Sequence, residues 1–197
     1  MVVLVGGKAK EDKYKKLISQ MGGKVIEDLD EDFEVYVTDD KLIRNSKLLL
    51  SIAKGAHVVN IKWLEDSQKR GAMLMDKIQE YLIIDKKFED QYACKLALLY
   101  KDSHKTGVLL KDKKVFVSAN IQGIQKSQMN QLIEAMGGIV HPDDFKSSDL
   151  CILDVDKDKK TITSIRQMKK DQPKMQQIHF VFNSILSQKL NYEEFPI

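Results

Sequence analysis

Long apolar runs are missing from this chain. Nothing approaches the ~18 consecutive apolar residues of a membrane-spanning helix, and the N-terminus lacks the pattern of a secretory signal. Charge of one sign is missing too: 32 basic and 29 acidic side chains leave a net charge of +3. Proteins that grip nucleic acid by neutralising phosphates show a basic excess or stripe, so this balance argues against direct nucleic-acid binding. Lys8-Ala9-Lys10-Glu11-Asp12-Lys13 interleaves both signs, as a solvated face does. The two cysteines, Cys94 and Cys151, stand far apart without metal-ligand spacing, which points to reduced thiols in an intracellular protein. A glycine turn follows Val5 at Gly6-Gly7, yet G-x-G-x-x-G and the P-loop Lys-Ser/Thr are both absent. No nucleophile, base and oxyanion donor come together, so neither an enzyme nor a cofactor is expected. Asp39-Asp40 and Asp143-Asp144 read as capping or solvent-facing carboxylates. His57 and His179 read as structural histidines in or beside strands.

What is present suffices for two small domains. With 197 residues, 43% of them hydrophobic, the chain can bury two cores of ~90–100 residues each. Val2-Val3-Leu4-Val5 is a continuous apolar run, expected of a strand buried on both faces of a parallel sheet. Tyr14, Leu17, Ile18 and Met21 then recur at helical spacing and stop at Gly22-Gly23. Strands are expected at Lys24-Val25-Ile26 and around Val35-Tyr36-Val37. Leu48, Leu49, Ile52 and Ala53 mark a helix closed by Gly55. Val58, Val59 and Ile61 form a β-branched run, and Trp63 opens the next helix.

The order repeats. Val115-Phe116-Val117 matches the first strand, Gln128 to Met136 the first helix, and residues 149–154 the third strand. Thr161 to Lys170 reads as the second helix, and Phe180 takes the Trp63 position because Ser184 follows it as Ser67 follows Trp63. Between the copies, Phe88 to Tyr100 reads as one linker helix and 101–107 as a polar loop. Residues 190–197 read as a tail that folds back on the second copy. The expected class is α/β: two four-stranded parallel sheets, each flanked by about three helices, spanning 1–84 and 113–197 with a helical linker at 85–112.

Three passages carry a family resemblance. Gly55-Ala56-His57-Val58-Val59 with Trp63-Leu64-Glu65-Asp66-Ser67 resembles the end of a BRCT domain, and Met21-Gly22-Gly23-Lys24-Val25 is echoed by Met136-Gly137-Gly138-Ile139-Val140. Nearly the whole chain resembles two BRCT repeats in tandem. Tandems of this kind that read phosphoserine or phosphothreonine peptides use a Ser/Thr-Gly pair after the first strand and a Lys in the second helix. A dianion calls for such a hydroxyl, a backbone N–H and an ammonium.

The resemblance implies phosphate ligands at Gly7 and Lys47, with Lys8 beside them. Gly6 occupies the Ser/Thr position, so that hydroxyl is lost. Arg44, three residues before Lys47, resembles the Arg that meets the peptide main chain or its C-terminal carboxylate, for which a guanidinium fork is suited. Leu48, Leu49 and Ile124 are expected to line an apolar slot between the repeats. The implied function is phosphopeptide binding by a monomeric module of a larger nuclear DNA-damage-response scaffold, with a phosphorylated histone tail as one partner. Two other readings stay open: a phosphate-independent interaction platform, which Gly6 favours, and binding of DNA ends.

Overall fold

The computed structural model describes every residue except Asp30, Pro142 and Asp143, and the backbone alone of Ser103. The chain folds into two compact units, Met1–Ser103 and His104–Ile197.

In the first unit β1 (Val2–Val5), β2 (Lys24–Ile26), β3 (Val35–Thr38) and β4 (His57–Asn60) form a parallel sheet in the order β2-β1-β3-β4. Around it run α1 (Asp12–Gln20), α2 (Ser46–Lys54) and α3 (Lys62–Arg70). Alternation along the strands divides the core. Val3, Val5, Val35, Val37 and Val59 pack with Leu17, Ile18, Trp63 and Leu64 on the α1 and α3 side. Leu4, Gly6 and Tyr36 therefore face the other side, which α2 covers. The chain leaves β1 for β2 on one flank and β3 for β4 on the other. That makes the carboxyl ends of β1 and β3 a topological switch point, where open α/β sheets bind ligands.

Both expected helix stops are present, with Gly55 in the left-handed region at φ 73° and Gly22 at φ 79°. Trp63 is fully buried, and its Nε1–H donates to the Leu74 carbonyl at 3.2 Å. Ser67, one turn along α3, accepts from the Leu74 N–H at 3.1 Å. The Trp-x-x-x-Ser spacing thus satisfies both backbone groups of one buried residue. Ser67→Ala should orphan that N–H and cost about 1–3 kcal/mol, measured as a lower urea midpoint at unchanged slope.

The second unit repeats the plan. Its strands β5 (Lys114–Val117), β6 (Ile139–Val140), β7 (Leu150–Ile152) and β8 (Lys174–Gln176) are ordered β6-β5-β7-β8, all parallel. They are flanked by α7 (Lys126–Ala135), α8 (Lys159–Arg166) and α9 (Ile178–Ser187). Phe180 and Ser184 are buried where Trp63 and Ser67 lie in the first unit. Phenylalanine has no N–H to give, and the tail is held differently. Gln176 donates to the Tyr192 carbonyl at 2.6 Å, the Tyr192 ring lies 5.1 Å from Phe180, and Pro196 bridges to Gln176. The tail folds back as expected.

Several local expectations change. The predicted linker helix is two helices, α4 (Lys86–Tyr92) and α5 (Leu96–Lys101), broken at Ala93 with φ 48°. The buried Glu89 carboxylate accepts from the Leu96 N–H at 2.8 Å and caps the second piece. Both pieces lie in the first unit rather than in a separate linker. The predicted polar loop contains a short helix, α6 (Ser103–Thr106), with Thr106 fully buried. His179 lies in a helix, not a strand. Both thiols are free and buried, and burial raises Cys94 to about 11 and Cys151 to about 12, which leaves them unreactive at neutral pH. No helix among the described residues is long and apolar enough to cross a membrane.

Candidate functional site

Lys47 is the second residue of α2, behind the N-cap Asn45, whose side chain accepts from the Leu48 N–H at 3.0 Å. A cation in this first turn sits at the positive end of the helix dipole. It is also half-buried. Its ammonium donates to the Val5 carbonyl at the end of β1, at 3.2 Å, and to the Glu27 carbonyl beyond β2. Burial first, and the Lys10 ammonium second, lower its pKa below the ordinary lysine value. Three unfavourable influences therefore converge on one lysine at the switch point.

The neighbouring charges form a cluster. The Glu27 carboxylate takes the Lys15 ammonium at 2.5 Å and lies 3.9 Å from Lys10. Its hydrogen bond to Lys15, reinforced by Lys10 and Lys47, holds its pKa below the usual carboxylate range. Lys10, which sequence pattern did not single out, is thus the second ammonium near Lys47. The residue pair Lys8-Lys10 straddles a 3-10 turn that spacing alone does not reveal.

The glycine turn is built for close approach. Gly6 is extended and donates to the Val37 carbonyl at 2.9 Å. Gly7 has φ 49°, and a Cβ there would collide with the Asp39 carboxylate. Asp39 also accepts from the Lys8 N–H at 3.2 Å, so this carboxylate caps the turn as expected. Lys8 lies with Thr38, Asp39, Asp40, Asn60, Lys62 and Glu65 around a cavity of about 510 Å³. It accompanies the acidic side of the turn, whereas Lys47 bonds the β1–β2 side.

Arg44 precedes the N-cap and lies outside the helix, so it shares no helix face with Lys47 as the spacing suggests. Its guanidinium stacks on Tyr92 of α4, 4.6 Å from the ring centre. Leu48 and Leu49 are 1% and 0% exposed, so neither offers surface to a ligand. Ile124 is half-buried in the loop ahead of α7.

The second unit fills its own counterpart of this site. Ser118 donates its N–H to the Ile152 carbonyl at 3.0 Å, as Gly6 does to Val37. Its hydroxyl donates to Asp158 Oδ1 at 2.8 Å, and Asn120 Nδ2 donates to the same oxygen at 2.7 Å. Asp158 Oδ2 accepts from the Asp154 N–H at 2.8 Å. Asp158 is 3% exposed and precedes α8 as Asn45 precedes α2. An internal carboxylate therefore closes this edge of the second unit, where the first unit carries both Lys47 and the Asp39 carboxylate. Of the acidic pairs, Asp143 lies outside the described residues, and Asp144 caps its loop through the Lys146 N–H and the Ser147 hydroxyl.

Fold and site together define a class: a tandem of parallel α/β repeats, one of which presents a half-buried lysine at its switch point. The model of the BRCA1 C Terminus (BRCT) domain matches residues 1–68, and a second BRCT domain model matches residues 108–195. The chain belongs to the BRCT family. Among curated proteins it is similar to mediator of DNA damage checkpoint protein 1 of Rattus norvegicus, 24% identical over 67% of this chain and 10% of that protein. The Mus musculus counterpart is also 24% identical, over 67% and 7%. The matched stretch spans a tenth or less of these relatives. Among solved structures, the BRCT5-BRCT6 domains of S. pombe Brc1 superpose with TM-score 0.73 at 16% identity, covering 99% of this chain and 96% of that one. Rtt107p in complex with a phosphorylated histone gives 0.56 at 12% identity, covering 98% and 89%. Tandem BRCT domains are protein-interaction modules, and this one resembles those of DNA-damage-response proteins.

Proposed function

We propose that the first repeat binds a phosphorylated serine or threonine of a partner protein, as part of a nuclear DNA-damage-response scaffold. The observation that carries this reading is Lys47. A lysine held half-buried, in the first turn of a helix and near a second ammonium, has its charge opposed more than the Glu27 and Asp28 carboxylates favour it, and an anion beside it tips that balance. A phosphate dianion beside it relieves both the Lys10 repulsion and the burial cost through charge-assisted bonds. In this reading Gly7, whose positive φ and missing side chain make room for the Asp39 carboxylate, contributes backbone at the edge of the site. Lys10 joins Lys47, and Lys8 takes a lesser part. Arg44, pre-ordered on Tyr92, meets the peptide beyond the phosphate or its terminal carboxylate. The module works without catalysis. The Rtt107p complex with a phosphorylated histone supports a histone tail as one candidate partner.

Gly6 favours a second reading, a platform that binds partners without phosphate. Titration with paired peptides decides between them: one phosphorylated and one not, each ending in a free carboxylate three residues after the serine. Binding confined to the phosphorylated peptide, and weakened by C-terminal amidation, is the expected result. Equal affinity for both peptides would establish the platform reading instead.

A further inference from the structure

Position 6 lacks a side chain, but the space beside it is not empty. A Cβ on Gly6 would lie 2.5 Å from the Tyr36 Oη and 3.0 Å from its Cζ. Gly6 follows β1 directly and Tyr36 lies in the adjacent β3, with Leu4 opposite Tyr36 in register. Both therefore face the α2 side of the sheet, the side that carries Lys47. The phenol reaches along the pleat to the carboxyl edge and ends where a serine or threonine hydroxyl at position 6 would be.

We propose that the Tyr36 hydroxyl serves as the phosphate ligand in place of the side-chain hydroxyl missing at position 6. This rests on the phosphate reading of Lys47 given above. Tyr36 is 4% exposed, and a buried phenol must find partners. Its neighbours include Thr38 and Asn45. With its carbonyl oxygen committed to the Leu48 N–H, the Asn45 amide has only N–H groups to offer the phenol. A phenol that accepts from an amide keeps its own proton to donate. Burial first, and the Asp39 charge with it, push its pKa up, so that proton stays on the oxygen at neutral pH, available to an acceptor at the position 6 edge.

The geometry also explains Gly6. A serine there and the Tyr36 ring would claim the same volume, so the hydroxyl comes from one strand or the other.

The test compares wild type, Tyr36→Phe, Tyr36→Leu and the double variant Gly6→Ser/Tyr36→Leu by calorimetric titration with phosphorylated and unphosphorylated peptides. Tyr36→Phe is expected to weaken phosphopeptide binding about tenfold or more, the loss of a hydrogen bond to a charged group. The unphosphorylated baseline should not move. Tyr36→Leu should lose at least as much, and adding Gly6→Ser should recover affinity because the ring has been cleared from that volume. Wild-type affinity in Tyr36→Phe, with Lys47→Met impaired, overturns the Tyr36 assignment alone. Failure of wild type to distinguish the two peptides overturns the phosphate reading, and this assignment with it. Should Tyr36→Phe unfold by circular dichroism, the double variant decides: recovered affinity upholds the assignment, and no recovery overturns it.

Discussion

Lys47→Met is expected to weaken phosphopeptide binding by about a hundredfold while leaving the fold intact. Truncating one partner of a desolvated charge pair costs about 2–5 kcal/mol, and every 1.4 kcal/mol is tenfold in affinity. The lower half of that range applies because Lys47 is half-buried rather than enclosed. The loss should fall on the phosphorylated peptide only. Methionine keeps most of the aliphatic stem, and what disappears is the ammonium that bonds the Val5 and Glu27 carbonyls. In the folded protein, burial, Lys10 and the helix dipole oppose that charge, while the Glu27 and Asp28 carboxylates and the two carbonyls favour it, so thermal stability should change little. Isothermal titration with the peptide pair, alongside a melting curve, checks both halves. A variant that bound the phosphopeptide as wild type would move the phosphate site away from Lys47. A variant that lost both binding and stability would make Lys47 a structural residue.

The fold was readable because its signals are local and redundant. Two glycine-pair helix stops, short apolar runs and the aromatic-x-x-x-Ser spacing each recur at matching distance. The breaks in the middle of the chain were not readable. Tyr92, Ala93, Leu96 and Leu99 keep helical spacing straight through the kink at Ala93, and the capping carboxylate of Glu89 comes from an earlier turn.

The site divides in the same way. Lys47 and Gly7 stand in sequence where the structure puts them, beside the end of β1. Arg44 was legible as a residue but not as a position. Asn45 starts the helix after it, and an N-cap breaks the three-residue spacing that would have put both cations on one face. The nearness of Lys10 to Lys47 and of Tyr36 to Gly6 was invisible. Each comes about through a turn or a neighbouring strand, and no pattern in one strand reports what the next places beside it.

The second repeat supplies the other large effect. Asp158→Ala is expected to destabilise that unit by about 2–4 kcal/mol, since each orphaned buried donor costs about 1–3 kcal/mol and the loop from β7 to α8 would lose its anchor as well. The carboxylate is the common acceptor for the Ser118 hydroxyl, the Asn120 amide and the Asp154 N–H. Asn120 is exposed and can turn to water, but Ser118 is 3% exposed and cannot. Asp158→Asn should fall between alanine and wild type, since its amide keeps one acceptor oxygen while offering an N–H where Asp154 also donates. The chain's single tryptophan, Trp63, lies in the first unit, so its fluorescence does not report this loss. Hydrogen exchange of the Ser118 and Asp154 amides does, and it should accelerate in Asp158→Ala while the amides of β1 and β3 keep their protection. Unchanged exchange at Ser118 would mean that the carboxylate is a passive occupant rather than the group that closes the edge. Accelerated exchange would show that this carboxylate closes the carboxyl edge of the second repeat, the edge at which the first repeat places Lys47.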